Sequence, residues 1–168
     1  MQKLTHTLNA ISGKRNAVLL NQALRGVYNS LSTRIFTSTA LVIGGTNTKV
    51  KIAAATHGII NGVLMTKAIT DNAFTLSGSV TNAYFNVFCL YLDSAGTATA
   101  VMGAECATLS AVKFPPKPES KVMIGFVVIN PTGTGDFVGG TTPLAGATVV
   151  PNAVYVNTVG GFDPTAVI

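Results

Sequence analysis

Two apolar runs constrain this chain more than any other feature. Tyr84–Leu92 and Val122–Ile129, the latter inside the expected strand Lys121–Asn130, are almost unbroken apolar stretches rich in Val, Phe, Leu, Ile and Met. Runs of that length and make-up are central strands, buried on both faces. Phe114-Pro115-Pro116-Lys117-Pro118 lies between them and cannot continue a ladder, so it forms a stiff connection. Around them the sequence breaks into short β-like segments separated by turn residues. Expected strands are Thr39–Ile43, Lys49–Ala53, Gly58–Lys67, Ala73–Leu76, Thr97–Met102, Thr108–Ala111, Phe137–Val138 and Val149–Val156. Asn61-Gly62 is a hairpin signal inside one of them, and Asp93-Ser94-Ala95-Gly96 is a type I turn with Gly in the left-handed position. Many short strands with turns every 8–12 residues or so mean a mainly β fold, an antiparallel β-sandwich or barrel. No second helical pattern exists to supply the crossovers of an α/β fold.

One segment reads differently. Lys14–Thr33 repeats Ala17, Leu20, Leu24, Val27 and Leu31 at intervals of three and four, with Tyr28 widening the stripe and polar residues such as Asn21, Gln22, Arg25 and Asn29 opposite. This predicts one N-terminal amphipathic helix, with Ser12 as N-cap and Gly26 as a mid-helix cost. Two heptads do not make a helix stable alone in water. The stripe must therefore pack on its own domain, the commonest outcome, or on copies of the chain, or on another surface. The expected organisation is a basic arm over residues 1–36 and an antiparallel β domain over 37–168.

Charge is scarce and lopsided. Only 10% of the 168 residues are charged, against roughly 25% in an ordinary domain. Residues 1–70 hold eight cations and no acid, whereas the remainder holds three lysines and all six acids. A basic arm on a slightly acidic body suggests docking onto something negative, an acidic protein surface ahead of nucleic acid, with a solvated basic face that has no dedicated partner as the alternative. Candidate docking residues are Lys14, Arg15, Leu20, Leu24, Arg25, Leu31 and Arg34. Nucleic acid is a disfavoured partner, because the cations are spaced rather than clustered and few aromatics lie among them. The rest of the surface must be hydroxyls and amides, with 22 threonines and 17 glycines. Such a surface resists association poorly, so self-association, favouring a homotrimer, is expected.

Several classes fall away. Mean hydropathy of +0.47 excludes disorder, and no apolar run approaches the ~20 residues that cross a bilayer as a helix, so no membrane partner is expected. There is no signal-peptide pattern at Met1–Leu20 and no glycosylation sequon, Asn130 being followed by Pro131. Cys89 and Cys106 lack metal-ligand spacing and are expected to be reduced structural thiols. His6 and His57 have no nucleophile elbow to serve. Gly44-Gly45-Thr46-Asn47-Thr48-Lys49 departs from phosphate-loop spacing and is expected to be a β-turn. The Gly-Thr-rich segment 130–144 is expected to hold two successive turns. No catalytic residues, cofactor or metal ligands are expected.

Four short segments resemble small tailed-phage virion proteins. They are Met65–Phe74, similar to a "tKaatDn" pattern; Lys121-Val-Met-Ile-Gly125-Phe-Val-Val after a Pro-containing linker; Phe137-Val-Gly-Gly-Thr-Thr-Pro-Leu144; and the late Tyr155-Val156-Asn157. The resemblance spans about residues 57–157. It implies a capsid decoration, cement or head-fibre-type protein, made in a host cytoplasm and placed on the capsid exterior, with the major capsid protein as partner and no catalytic residues. Segment 1–36 has no counterpart in that pattern. The competing expectation is a tail-fibre or tail-tip module that binds a cell-surface glycan, which wants an aromatic platform; the chain has no Trp and four Tyr.

Overall fold

A computed structural model describes residues 14–146, 148–150 and 152–165. Ser12 and His6 lie outside the described residues. Among the described residues the first element is α1 (Lys14–Ser32), one residue shorter than the expected Lys14–Thr33, followed by β1 (Arg34–Ile35), β2 (Leu41–Ile43), β3 (Lys49–Ile52), β4 (Thr56–Ile60), β5 (Val63–Lys67), β6 (Thr70–Thr75) and β7 (Ser79–Val80). The chain continues through β8 (Asn86–Asp93), β9 (Ala98–Met102), a 3-10 turn (Leu109–Ala111), β10 (Lys121–Ile129), β11 (Phe137–Val138) and β12 (Val154–Asn157). The strands form antiparallel sheets in the orders β12-β10-β8-β9, β2-β3-β6, β1-β4-β5 and β11-β7. The fold is mainly β and sandwich-like, with no closed barrel.

Both apolar runs occupy the centre of the four-stranded sheet, as their composition demands. Every residue from Asn86 to Leu92 is buried. One face of the pair, with Phe88, Leu90, Leu92, Val122, Ile124, Val127 and Ile129, shares a core with Leu41, Val50, Ile52, Phe74 and Leu76 of the β2-β3-β6 sheet and with Ile35, Ile60 and Met65 of the β1-β4-β5 sheet. The opposite face carries a second, smaller cluster: Val87, Cys89, Tyr91 and Met123, with Phe114 and Phe126 at its margin.

A bulge in β10 sorts the residues between the two faces. Met123 opposes Tyr91 and Gly125 opposes Leu90, so Ile124 is the extra residue and the alternation re-phases there. Phe126 consequently opposes Cys89 and sits, half-buried, on the second face, edge-on to Phe114 with ring centroids 5.1 Å apart. Gly125 lies where β10 is crowded: a Cβ there would run into the Val156 carbonyl and the Leu41 side chain.

The two expected turns have the expected backbone. Asn61 (φ 51°) and Gly62 (φ 80°) are both left-handed, the geometry of a type I′ hairpin, so the expected strand Gly58–Lys67 is a β4–β5 hairpin. Gly96 (φ 76°) closes the Asp93 turn, its N–H and that of Thr97 anchoring to Asp93. Two expectations need correction. Thr108–Ala111 is no strand; Leu109–Ala111 makes a 3-10 turn without a buried residue, because its short apolar pattern finds no neighbouring strand. The last strand is Val154–Asn157 rather than Val149–Val156, since Val150 leaves the ladder to bridge back to Gly146.

Candidate docking surface

The helix is the most unusual part of the molecule. A helix lying on its body buries one face and exposes the other. Here Leu24 (56%) and Leu31 (57%) on the stripe are as exposed as Val18 (54%) and Leu19 (58%) away from it. Tyr28 is exposed too, and Leu20 is half-exposed. None of the strands packs along α1, so its own domain does not cover the stripe. Arg25 is also exposed. Lys14 and Arg15 form the first turn, and their side chains lie outside the described residues. The helix therefore brings Leu20, Leu24, Arg25 and Leu31 onto one stem.

Arg34 is placed elsewhere. It lies in β1, where Arg34 pairs with Ile59 and Ile35 with Gly58. Ile35 is 1% exposed, so this short strand belongs to the β body. The Arg34 guanidinium sits over the Phe36 ring, 5.6 Å from its centroid, a cation–π contact.

Stem and body are joined tightly. Only Thr33 separates α1 from β1. The hairpin tip clamps this junction: the Gly62 N–H donates to the Ser32 carbonyl at 3.0 Å. The Asn61 N–H donates to Thr33 Oγ1 at 3.0 Å, and Thr33 Oγ1 donates to Asn61 Oδ1 at 3.2 Å. Beside the clamp lies a cleft of about 360 Å3, lined by Thr33, Asn61 and the loop 117–121. Lys121 Nζ is committed to Thr99 Oγ1 at 2.6 Å.

Beyond the clamp, the β1-β4-β5 sheet has one buried and one open face. Ile35, Gly58 and Met65 oppose one another inward. Arg34, Ile59 and Leu64 form the next rank and face the other way. Leu64 is 78% exposed and Phe36 46%. His57, on the same face, bonds Thr66 Oγ1 through Nδ1 at 3.1 Å. This open sheet face was invisible in the sequence, because Leu64 and Ile59 become neighbours only through the hairpin register.

The segments quoted for the phage resemblance prove to be structural ties. Asp71 Oδ1 accepts the Gly45 N–H and Asn72 Oδ1 the Thr46 N–H, both at 2.9 Å, which fixes the Gly44–Lys49 turn. Asn157 Oδ1 accepts from Thr39 Oγ1 at 2.8 Å and from the Leu41 N–H at 2.9 Å, locking β12 to β2. Leu144 is buried, and its N–H reaches the Asn47 carbonyl. The Val138 N–H donates to Thr142 Oγ1.

Titratable groups in the interior are few. Burial pushes the Cys89 thiol up to about 12. Burial also raises the Tyr91 phenol, with Cys89 beside it adding to the rise; both stay neutral. Among the described residues no cluster of three His, Cys, Asp or Glu side chains could hold a metal, and no helix is long and apolar enough to cross a membrane. Compared with known families, curated proteins and solved structures, the chain matches none.

Proposed function

We propose that this protein is a non-enzymatic structural component of a tailed-phage virion, decorating or cementing the capsid exterior as a homotrimer, with the major capsid protein as its partner. The observation that carries the reading is the basic, amphipathic stem that no part of the β body covers. A protein that binds many identical sites needs an attachment element and a rigid body, and α1 with the clamped β domain has that form. The sequence resemblance to small tailed-phage virion proteins points the same way; in the fold its Asp71, Asn72 and Asn157 tie the body's loops and strands together. In this reading the cations of the first 51 residues speed and orient encounter with an acidic capsid surface, while apolar contact made by the assembled protein sets the lifetime.

Two measurements test it. Antibody labelling of purified particles places the protein on the head surface; labelling confined to the tail tip would favour the receptor-binding alternative. Heads stripped of the protein should take up the full chain from solution. Replacing Lys14, Arg15 and Arg25 by Gln should slow uptake and flatten its salt dependence. Uptake at an unchanged rate and salt slope would remove the basic segment from the docking role.

A further inference from the structure

We propose that α1 and the open face of the β1-β4-β5 sheet form one continuous copy-to-copy surface that joins three chains in parallel, stem against stem and sheet face against neighbouring stem base. This rests on the homotrimer of the proposed function: the stripe meets other copies of the chain, and the cations outside the seam, Arg25 among them, are what remains for an acidic surface.

The stem selects a copy of itself through its period. Apolar residues at intervals of three and four repeat every 3.5 residues, which keeps a seam facing another helix as the two supercoil. With Ala17, Leu24 and Leu31 at the a positions, Leu20 and Val27 fall at d. At the Leu24–Val27 step, leucine at a with a β-branched residue at d disfavours a two-stranded coil, whereas the Ala17–Leu20 step has no β-branched residue. Tyr28, at the flanking e position, widens the apolar face beyond the narrow seam of a dimer. The flanking positions Asn16, Asn21, Ala23 and Tyr28 carry no charge, whereas Arg25 falls at b, outside the seam. Over these two heptads identical stems meet without like-charge repulsion; Lys14, at the e position of the first turn, is the one cation that borders the seam. An acidic partner seated on the stripe would leave Arg25 at its edge rather than in the contact.

The body extends the same surface. Because Thr33 alone joins α1 to β1 and the hairpin tip holds the last turn through Gly62 and Asn61, stem and sheet form a single rigid corner. Parallel stems in register bring the open sheet faces to the same level. There Phe36, Ile59 and Leu64 present apolar area beside the base of the stem, with Arg34 held over Phe36. Antiparallel stems would carry the sheet faces to opposite ends and leave them bare. The stem is about 28 Å long, so the combined surface is an extended one.

The test is sedimentation velocity of the full chain over a dilution series from micromolar concentrations downward, with circular dichroism on the same samples. The expected mass is three times the 17.3 kDa chain. Leu24→Asp combined with Leu31→Asp should give a monomer whose helical signal falls while the thermal transition of the β body stays in place. Leu64→Asp should raise the midpoint of dissociation by about tenfold. Val18→Asp, equally exposed but off the seam, is the control and should leave the mass unchanged. Any mass other than the trimer's, disruption by Val18→Asp equal to that by the seam pair, or an unmoved midpoint for Leu64→Asp overturns the proposal.

Discussion

The central strands and the stem helix are both apolar, yet they end in opposite environments. In β8, every side chain from Asn86 to Leu92 is buried, including those on the face where alternation would have placed polar residues. In α1, residues on and off the stripe are exposed to nearly the same degree. The difference lies in where the complementary surface is. β8 has it within the chain, supplied by β9 and β10 on its edges and by two apolar clusters on its faces. The apolar stripe of α1 has no such cover in the body, so its stability is tied to what binds it. One chain thus carries a core that covers itself and a helix whose apolar stripe the β body leaves exposed.

Substitutions can break that comparison. The largest effect is expected at Phe88, fully buried between the sheets and edge-on to Phe137 at 5.8 Å. Phe88→Ala should cost ~3–5 kcal/mol in chemical denaturation. Phe126→Ala, on the half-buried second face, should cost visibly less; equal losses would mean that the two faces of the sheet contribute alike.

Gly125→Ala comes next. Its added methyl meets the Val156 carbonyl and Leu41, so β12 or β2 must shift, at ~1–3 kcal/mol. An unchanged melting temperature would mean that the β10 bulge is not crowded in solution.

Leu24→Ala should move the melting transition of the body by less than ~0.5 kcal/mol, as exposed positions do. A loss of the size seen at Phe88 would show that the stem packs on its own domain after all.

The smallest effect belongs to the β8–β9 turn. Asp93 accepts N–H groups from Thr97 and Ala95, and these bonds, that from Thr97 foremost, hold its carboxyl below its ordinary value. The folded chain therefore favours the ionised form. Its contribution is full above the ordinary carboxylate value and is lost as pH falls through the lower folded one. Asp93→Asn should flatten the acid side of the stability curve slightly. If urea midpoints of both proteins fall in parallel between pH 6 and 3, the turn carboxylate contributes nothing.

Most of the secondary structure was written locally. Asn61-Gly62 demanded a hairpin because two successive left-handed residues suit Asn and Gly and few others, and the structure has them there. The runs around Phe88 and Val127 demanded a central position because nothing polar interrupts them. The periodicity of 14–32 demanded a helix. The candidate residues Leu20, Leu24, Arg25 and Leu31 share that helix, whereas Arg34 belongs to a strand whose existence depends on β4, more than twenty residues later in the chain.

What tertiary structure alone decided is everything that depends on distant partners. Thr108–Ala111 had a strand's composition but no strand beside it, and composition cannot supply a ladder. The bulge at Ile124 turned Phe126 away from the main core, a choice made by register with Cys89 and Leu90. The sheets did not close into a barrel, and the hairpin register assembled Arg34, Ile59 and Leu64 into one open face. Sequence by itself determined that α1 would be amphipathic, since that follows from periodicity along one helix. Whether its stripe would be covered was decided by the body, whose strands do not pack along the stem even though the β1-β4-β5 sheet leaves one face open.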